Sequence, residues 1–207
     1  RDAECLDAVR QALARNLPDD VVRELKHRLV EQLIVCGDAE GTRRELEALT
    51  QTEGETFRVR LLQVDQYRLE GLPEKALEVM EQVFREARDP AEACFNRGVI
   101  YHDLGRYAEA VRDLERAVAA QPMNSSAHFK LSEAYRALER QDSAARHRAI
   151  ADGINAKQLQ IATLQKQISR DHADAAIPRQ LAKLYRELGS EEAANAWEKR
   201  AESLERK

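Results

Sequence analysis

Residues 91–124, AEACFNRGVIYHDLGRYAEAVRDLERAVAAQPMN, carry two apolar stripes at helical spacing joined by a short turn. Cys94, Gly98, Tyr101 and Leu104 mark the first stripe, and Tyr107, Ala110, Val111, Leu114, Ala117 and Val118 mark the second. Between them Leu104-Gly105-Arg106 reads as a turn, because glycine accepts the left-handed backbone that closes a helix. The small Gly98 and Ala110 let the paired helices approach closely. One such pair cannot enclose a core, so copies of it are expected to stack.

The copies are present. Gly37, Gly71 and Gly105 stand at one 34-residue interval, and the same shift relates Tyr67, Tyr101 and Tyr135, as well as Ala76, Ala110 and Ala144. This phase defines repeats at residues 57–90, 91–124 and 125–158. Residues 23–56 form a degenerate repeat that keeps Leu29, Val30, Leu33, Gly37, Leu46 and Leu49 but has Thr42 in the alanine slot. Residues 1–22 read as a partial repeat whose helix, Asp2 to Arg15, puts Leu6, Val9, Ala12 and Leu13 on one face and Ala8 in the alanine slot.

After the third clear repeat the phase breaks. Tyr185 follows Tyr135 by 50 residues, which adds 16 to the usual period. Residues 143–169 lack proline and place Ile150, Ile154, Ile161, Leu164 and Ile168 on a near-heptad seam interrupted by Lys157, so one long helix is expected. Gly153 and Asn155 leave open a break into two helices. Residues 159–174 form the helical extension and linker, with Arg170 to Ile177 as the connection, Asp174 as N-cap and Pro178 in the next first turn. Residues 175–207 form a C-terminal repeat that acts as a cap, with Trp197 in its inner stripe and a polar outer helix.

Gly98, Tyr101, Leu104, Gly105, Tyr107, Ala110, Leu114, Ala117 and Pro122 fall where the tetratricopeptide repeat (TPR) places its small, aromatic and terminal residues, and residues 91–124 therefore resemble that family. The resemblance implies an all-α fold, a right-handed superhelical solenoid of antiparallel helix pairs. The insertion places one extended helix before the C-terminal capping pair. The family's first helices line a concave groove that binds a segment of another protein. Carried over, that groove is expected to present Leu61, Leu62, Asp65, Arg68 and Leu69, then Phe95, Asn96, Val99, His102 and Asp103, then Phe129, Lys130, Glu133 and Arg136. Phe95 and Phe129 are the expected anchors, with local packing between first helices as the competing role.

One branch of the family grips the terminal carboxylate of acidic chaperone tails. Asn96 matches that pattern and Lys130 can stand in for its arginine, but Leu61, Asp65 and Ser126 replace a lysine, an asparagine and a second lysine. An anionic Asp65 repels a carboxylate, so a partner of mixed or basic character is expected instead.

The remaining composition narrows the function further. A net charge of −4, from 33 basic and 37 acidic residues, is interspersed rather than concentrated, which argues against a nucleic-acid partner. Arg58, Arg60 and Arg68 are the best local exception, though Asp65 and Glu70 lie among them. Cys5, Cys36 and Cys94 lack metal spacing, and the latter two are expected to be buried small hydrophobes. The histidines His27, His102, His128, His147 and His172 include no i,i+4 pair, so no metal site is expected; His128 belongs to the core side and His102 to the groove. No nucleophile elbow, phosphate loop or HExxH is present, and neither catalysis nor a cofactor is expected.

The expected function is a non-catalytic scaffold that binds a protein or peptide partner. The alternative is homodimerisation through the long helix around residues 143–169. No apolar run approaches the roughly 20 residues needed to span a bilayer, so no membrane insertion of this segment is expected. Thiol usage slightly favours a cytoplasmic over a periplasmic location, and the Ala, Arg and Glu bias has a bacterial style. Because Arg1 is not an initiator methionine, a preceding leader, anchor or domain is expected and the address stays open.

Overall fold

The computed structural model describes residues 2–86, 90–168 and 175–205. These residues form eleven α-helices and no strand. In chain order they are α1 (Asp2–Leu13), α2 (Asp19–Val35), α3 (Ala39–Glu53), α4 (Phe57–Leu69), α5 (Pro73–Glu86), α6 (Pro90–Asp103), α7 (Tyr107–Ala120), α8 (Ser125–Ala137), α9 (Gln141–Ile168), α10 (Ala176–Glu187) and α11 (Glu191–Glu205). Successive helices pack as α2 on α3, α4 on α5, α8 on α9 and α10 on α11, and α3 on α4 and α5 on α6 continue the stacking between pairs. This is the paired-helix solenoid architecture. None of the described helices is long and apolar enough to cross a membrane.

The turns explain the glycine interval. Gly37, Gly71, Gly105 and Gly189 adopt φ of 75°, 69°, 71° and 72°. At Gly105 the backbone N–H donates to His102 O at 2.9 Å and that of Arg106 to Tyr101 O at 2.8 Å, which satisfies two carbonyls at the end of α6. The third repeat has Glu139 in this slot, at φ 60°, with the same two bonds to Arg136 O and Tyr135 O. Helix starts are fixed by side chains: Thr56 accepts from the Val59 N–H at 3.3 Å and Asn124 from the Ala127 N–H at 3.0 Å.

The contacts fall into two compact units, Arg1–Asp113 and Leu114–Lys207, divided within α7. In the first unit, Val30, Leu46, Leu49, Val59 and Leu62 join α2, α3 and α4. A second cluster of Val64, Ala76, Met80, Val83, Ala93 and Ile100 joins α4, α5 and α6. Met80 and Ile100 are fully buried, and truncating either to alanine costs about 2–5 kcal/mol. The alanine slot is sealed at Ala76 and Ala110; Thr42 is fully buried in it with its hydroxyl satisfied by donation to Asp38 O at 2.7 Å.

In the second unit α9 runs unbroken through Gly153. Ala144, Ala151 and Ile154 are buried along its first part, which packs on α8. Farther along, Ile161, Leu164 and Ile168 pack with Leu181 and Leu184 of α10, and Trp197 of α11 lies partly buried against them. The near-heptad seam is thus covered within the chain from Ile154 to Ile168, whereas Ile150, expected on the same seam, is exposed at 38% because it lies off the face that Ala144, Ala151 and Ile154 bury.

Three further expectations need correction, and three fall outside the described residues. Cys36 is exposed: it is the C-cap of α2, past the last helical residue, and its sulfur accepts a long contact from Gln32 Nε2 at 3.9 Å. Ala8, placed in the alanine slot of α1, is exposed as well. Ala176 and Ile177 belong to α10 rather than to the connection, since helical bonding begins before Pro178, which still lies in the first turn. The Asp174 cap, His172 and the Cys5 side chain lie outside the described residues.

Candidate functional site

In the first unit, Leu61, Asp65 and Arg68 lie on α4, and Phe95, Asn96, Val99 and His102 lie on α6. Their charges are largely committed to one another. Arg68 donates from Nε to Asp103 at 2.9 Å and from Nη1 to Asp65 at 3.3 Å. Arg58 reaches Glu24 at 2.7 Å and Glu31 at 3.1 Å, Arg60 pairs with Glu86, and Arg43 binds Glu70 at 2.7 Å. Several of these pairs join helices of neighbouring repeats, and such exposed pairs contribute about 0–1 kcal/mol each. The basic cluster of Arg58, Arg60 and Arg68 is accordingly neutralised by carboxylates.

Asp65 differs from its neighbours. Desolvation raises its carboxyl above the usual aspartate range against the pull of Arg68, although 46% of its side chain is open, so surrounding atoms crowd it without covering it. His102 meets the Tyr107 ring edge-on at 5.5 Å and places Nδ1 3.7 Å from Asp103. Val99 is only 4% exposed and contributes to packing rather than to an open surface.

The recess in this face lies between α4, the end of α5 and the start of α6. It encloses about 500 Å³ and is lined by Phe57, Leu61, Val83, Glu86, Glu92, Ala93 and Asn96. Leu61 and Asn96 were expected from the sequence; Phe57 was not. Its ring is 41% exposed at the N-terminus of α4, in a slot filled by Ala91 and Ser125 in the next two repeats. That aromatic exception was the available signal. Among the described residues the Asn96 amide has no hydrogen-bond partner, so its donor and acceptor are available beside an apolar wall.

Phe129, Lys130, Glu133 and Arg136 lie on α8 in the second unit. Lys130 donates to Glu133 at 2.9 Å, and Arg136 lies 4.0 Å from the same carboxylate. The Arg148 guanidinium of α9 sits 4.9 Å from the Phe129 ring centre and shields it in part.

Two polar clusters escaped the sequence reading. Arg97 forms a two-pronged bond with Asp113, at 2.6 Å from Nε and 3.0 Å from Nη2, while its guanidinium stacks 3.6 Å from the Phe84 ring centre. Asp113 is 3% exposed, so this pair belongs to the interior and not to the solvated charge pattern. In the second unit His128 and His147 bring their Nδ1 atoms to 2.9 Å. His128 Nε2 lies 3.0 Å from Pro122 O and donates there, since a carbonyl only accepts, and in the neutral ring Nδ1 then accepts from His147. His147 stacks on Tyr135, whose hydroxyl donates to Glu115. Burial, with the bond to Glu115, pushes the Tyr135 phenol up to about 12. Burial, followed by the His128 and Arg146 charges, lowers His147. Among the described residues no group of three or more His, Cys, Asp or Glu side chains is disposed to hold a metal.

Residues 91–124 match the family profile described as tetratricopeptide repeat. Among solved structures, MamA of MSR-1 aligns with a TM-score of 0.53 and 22% identity, over 89% of this chain and 97% of that one. MamA of AMB-1 aligns with a TM-score of 0.52 and 21% identity, over 88% and 98%. At these identities the likeness establishes the fold alone. No curated protein matches the sequence.

Proposed function

Since the chain carries a tetratricopeptide repeat and belongs with that family in fold, we propose that it is a non-catalytic protein-interaction scaffold whose first unit holds a segment of a partner protein across α4 and α6. The observation that carries this reading is the recess beside Leu61 and Asn96. A volume of about 500 Å³ lies within the range of binding pockets, its wall is apolar, and an uncommitted amide stands at its edge. Apolar area supplies affinity, while a side-chain amide can bond both N–H and C=O of an incoming backbone and so fix its register. The committed charges of Arg58, Arg60 and Arg68 speak against a polyanion in the same place.

Homodimerisation through the long helix has less support. Ile161, Leu164 and Ile168 are 7% exposed and packed with α10 and Trp197 of α11, so pairing of that part of the seam with another copy requires displacing those helices.

A peptide-library screen on the folded chain tests the reading, run beside Phe57→Ala and Asn96→Ala. Binding peptides lost in both variants support the α4–α6 face. Peptides that bind all three proteins equally place recognition elsewhere. Light scattering across a concentration series tests the dimer, and a stable dimer broken by Ile161→Glu with helicity intact would favour the second reading.

A further inference from the structure

We infer that the recess of the first unit accepts an apolar side chain carried on a basic segment, so that the partner is a cationic, amphipathic stretch of protein. This rests on the α4–α6 groove reading and specifies its ligand. The floor is apolar, from Leu61, Val83 and Ala93, and the Phe57 ring stands exposed at the mouth. An exposed ring beside an open recess leaves apolar area that a side chain of matching chemistry would remove from water.

The charge at the mouth is acidic. Glu86 and Glu92 both line it. The cation paired with Glu86 is Arg60, whose side chain is 14% exposed against 53% for the glutamate, so an approaching chain meets carboxylate first. Glu92 is exposed and, among the described residues, has no ion pair or hydrogen bond. The other carboxylates of this face are engaged: Asp65 and Asp103 by Arg68, Glu24 and Glu31 by Arg58, Glu70 by Arg43. Glu92 is therefore the uncommitted charge, and it stands beside the uncommitted amide of Asn96. A lysine or arginine next to the buried apolar residue satisfies Glu92, whereas an acidic segment meets the uncommitted Glu92 and the outward carboxylate of Glu86.

The test uses fluorescence anisotropy with three pools of short, acetylated and amidated peptides. The first has Leu or Phe at the centre with Lys flanks, the second the same centre with Glu flanks, and the third Ser at the centre with Lys flanks. Each is titrated against the chain, Glu92→Gln, Glu92→Lys and Phe57→Ala, with far-UV circular dichroism to confirm helicity. The first pool should bind best, weaken by about tenfold on charge reversal at Glu92 and by a similar factor on Phe57→Ala, and lose affinity as salt is raised. Equal binding of Lys- and Glu-flanked pools, both lost in Phe57→Ala, overturns the basic partner while leaving the groove in place. Equal binding of Leu/Phe- and Ser-centred pools, unaffected by either substitution, reduces the effect to attraction by the net negative charge and overturns the inference. No binding of any pool counts against the groove itself.

Discussion

Glu139→Gly should stabilise the chain, against the usual rule that a new glycine weakens a helical protein. Glu139 stands at φ 60°, in the slot where the other turns have Gly37, Gly71, Gly105 and Gly189. The left-handed region costs a residue with a Cβ roughly 1–2 kcal/mol, which glycine avoids. Set against this, glycine loses more backbone freedom on folding, an opposing effect of about 0.4–1 kcal/mol. Glu139 is exposed, and among the described residues its carboxylate makes no ion pair or hydrogen bond, so nothing else is lost. The net gain is about 0.5–1 kcal/mol, equivalent to roughly 1–4 °C in Tm for a chain of this size. Differential scanning calorimetry reads the shift, with Glu139→Ala as the control that removes the side chain but keeps the Cβ. The reasoning is refuted if glycine lowers Tm, or if glycine and alanine behave alike.

Other sites give sharper or opposite responses. Gly153→Ala should add about 0.5–1 kcal/mol by urea titration, because the residue is helical and exposed and a Cβ there meets no atom within 4 Å. Asp113→Ala should cost about 3–5 kcal/mol by stranding Arg97, and the double change Arg97→Met with Asp113→Leu should recover much of it; equal losses for single and double variants would sink the buried-pair account. His147 should titrate below its ordinary value of 6.5 when followed by NMR. Since the unfolded chain then takes up the proton first, the His147 contribution to stability is complete above about pH 6.5 and is lost as pH falls through the depressed folded value. A His147 that titrates above 6.5 in the folded chain refutes this.

The repeats were legible because a turn that needs positive φ favours glycine at a fixed interval, and an alanine slot closed by its partner helix keeps residues small, with Glu139 and Thr42 as the exceptions. Both constraints act within one repeat, so one chain reveals them. The buried Arg97–Asp113 pair was not legible, since its partners lie 16 residues apart and resemble any surface charge until α6 and α7 pack together. The His128–His147 contact crosses from α8 to α9, which a search along one helix for i,i+4 spacing does not reach. Cys36 was misjudged because its helical phase points inward while its helix ends at that residue. The site divided along the same line. Leu61 and Asn96 followed from repeat position, but the recess also needs Val83 and Glu86 of α5, which the first-helix pattern omits.

The 28 residues of α9 span about 42 Å, and they make the helix a gauge of angle as well as of length. Its first part is clasped by α8 and its last part by α10 and α11, with Ile154 and Ile161 marking the two grips. Each residue removed between those grips would rotate the α10–α11 pair by about 100° around the helix axis while shortening the path by only about 1.5 Å. Inserting seven would return the pair to within about 20° of its heading, roughly 10 Å farther from α8. The orientation of the terminal pair is therefore set by the residue count of one helix, so lengths that differ by a heptad are interchangeable in heading and intermediate lengths are not.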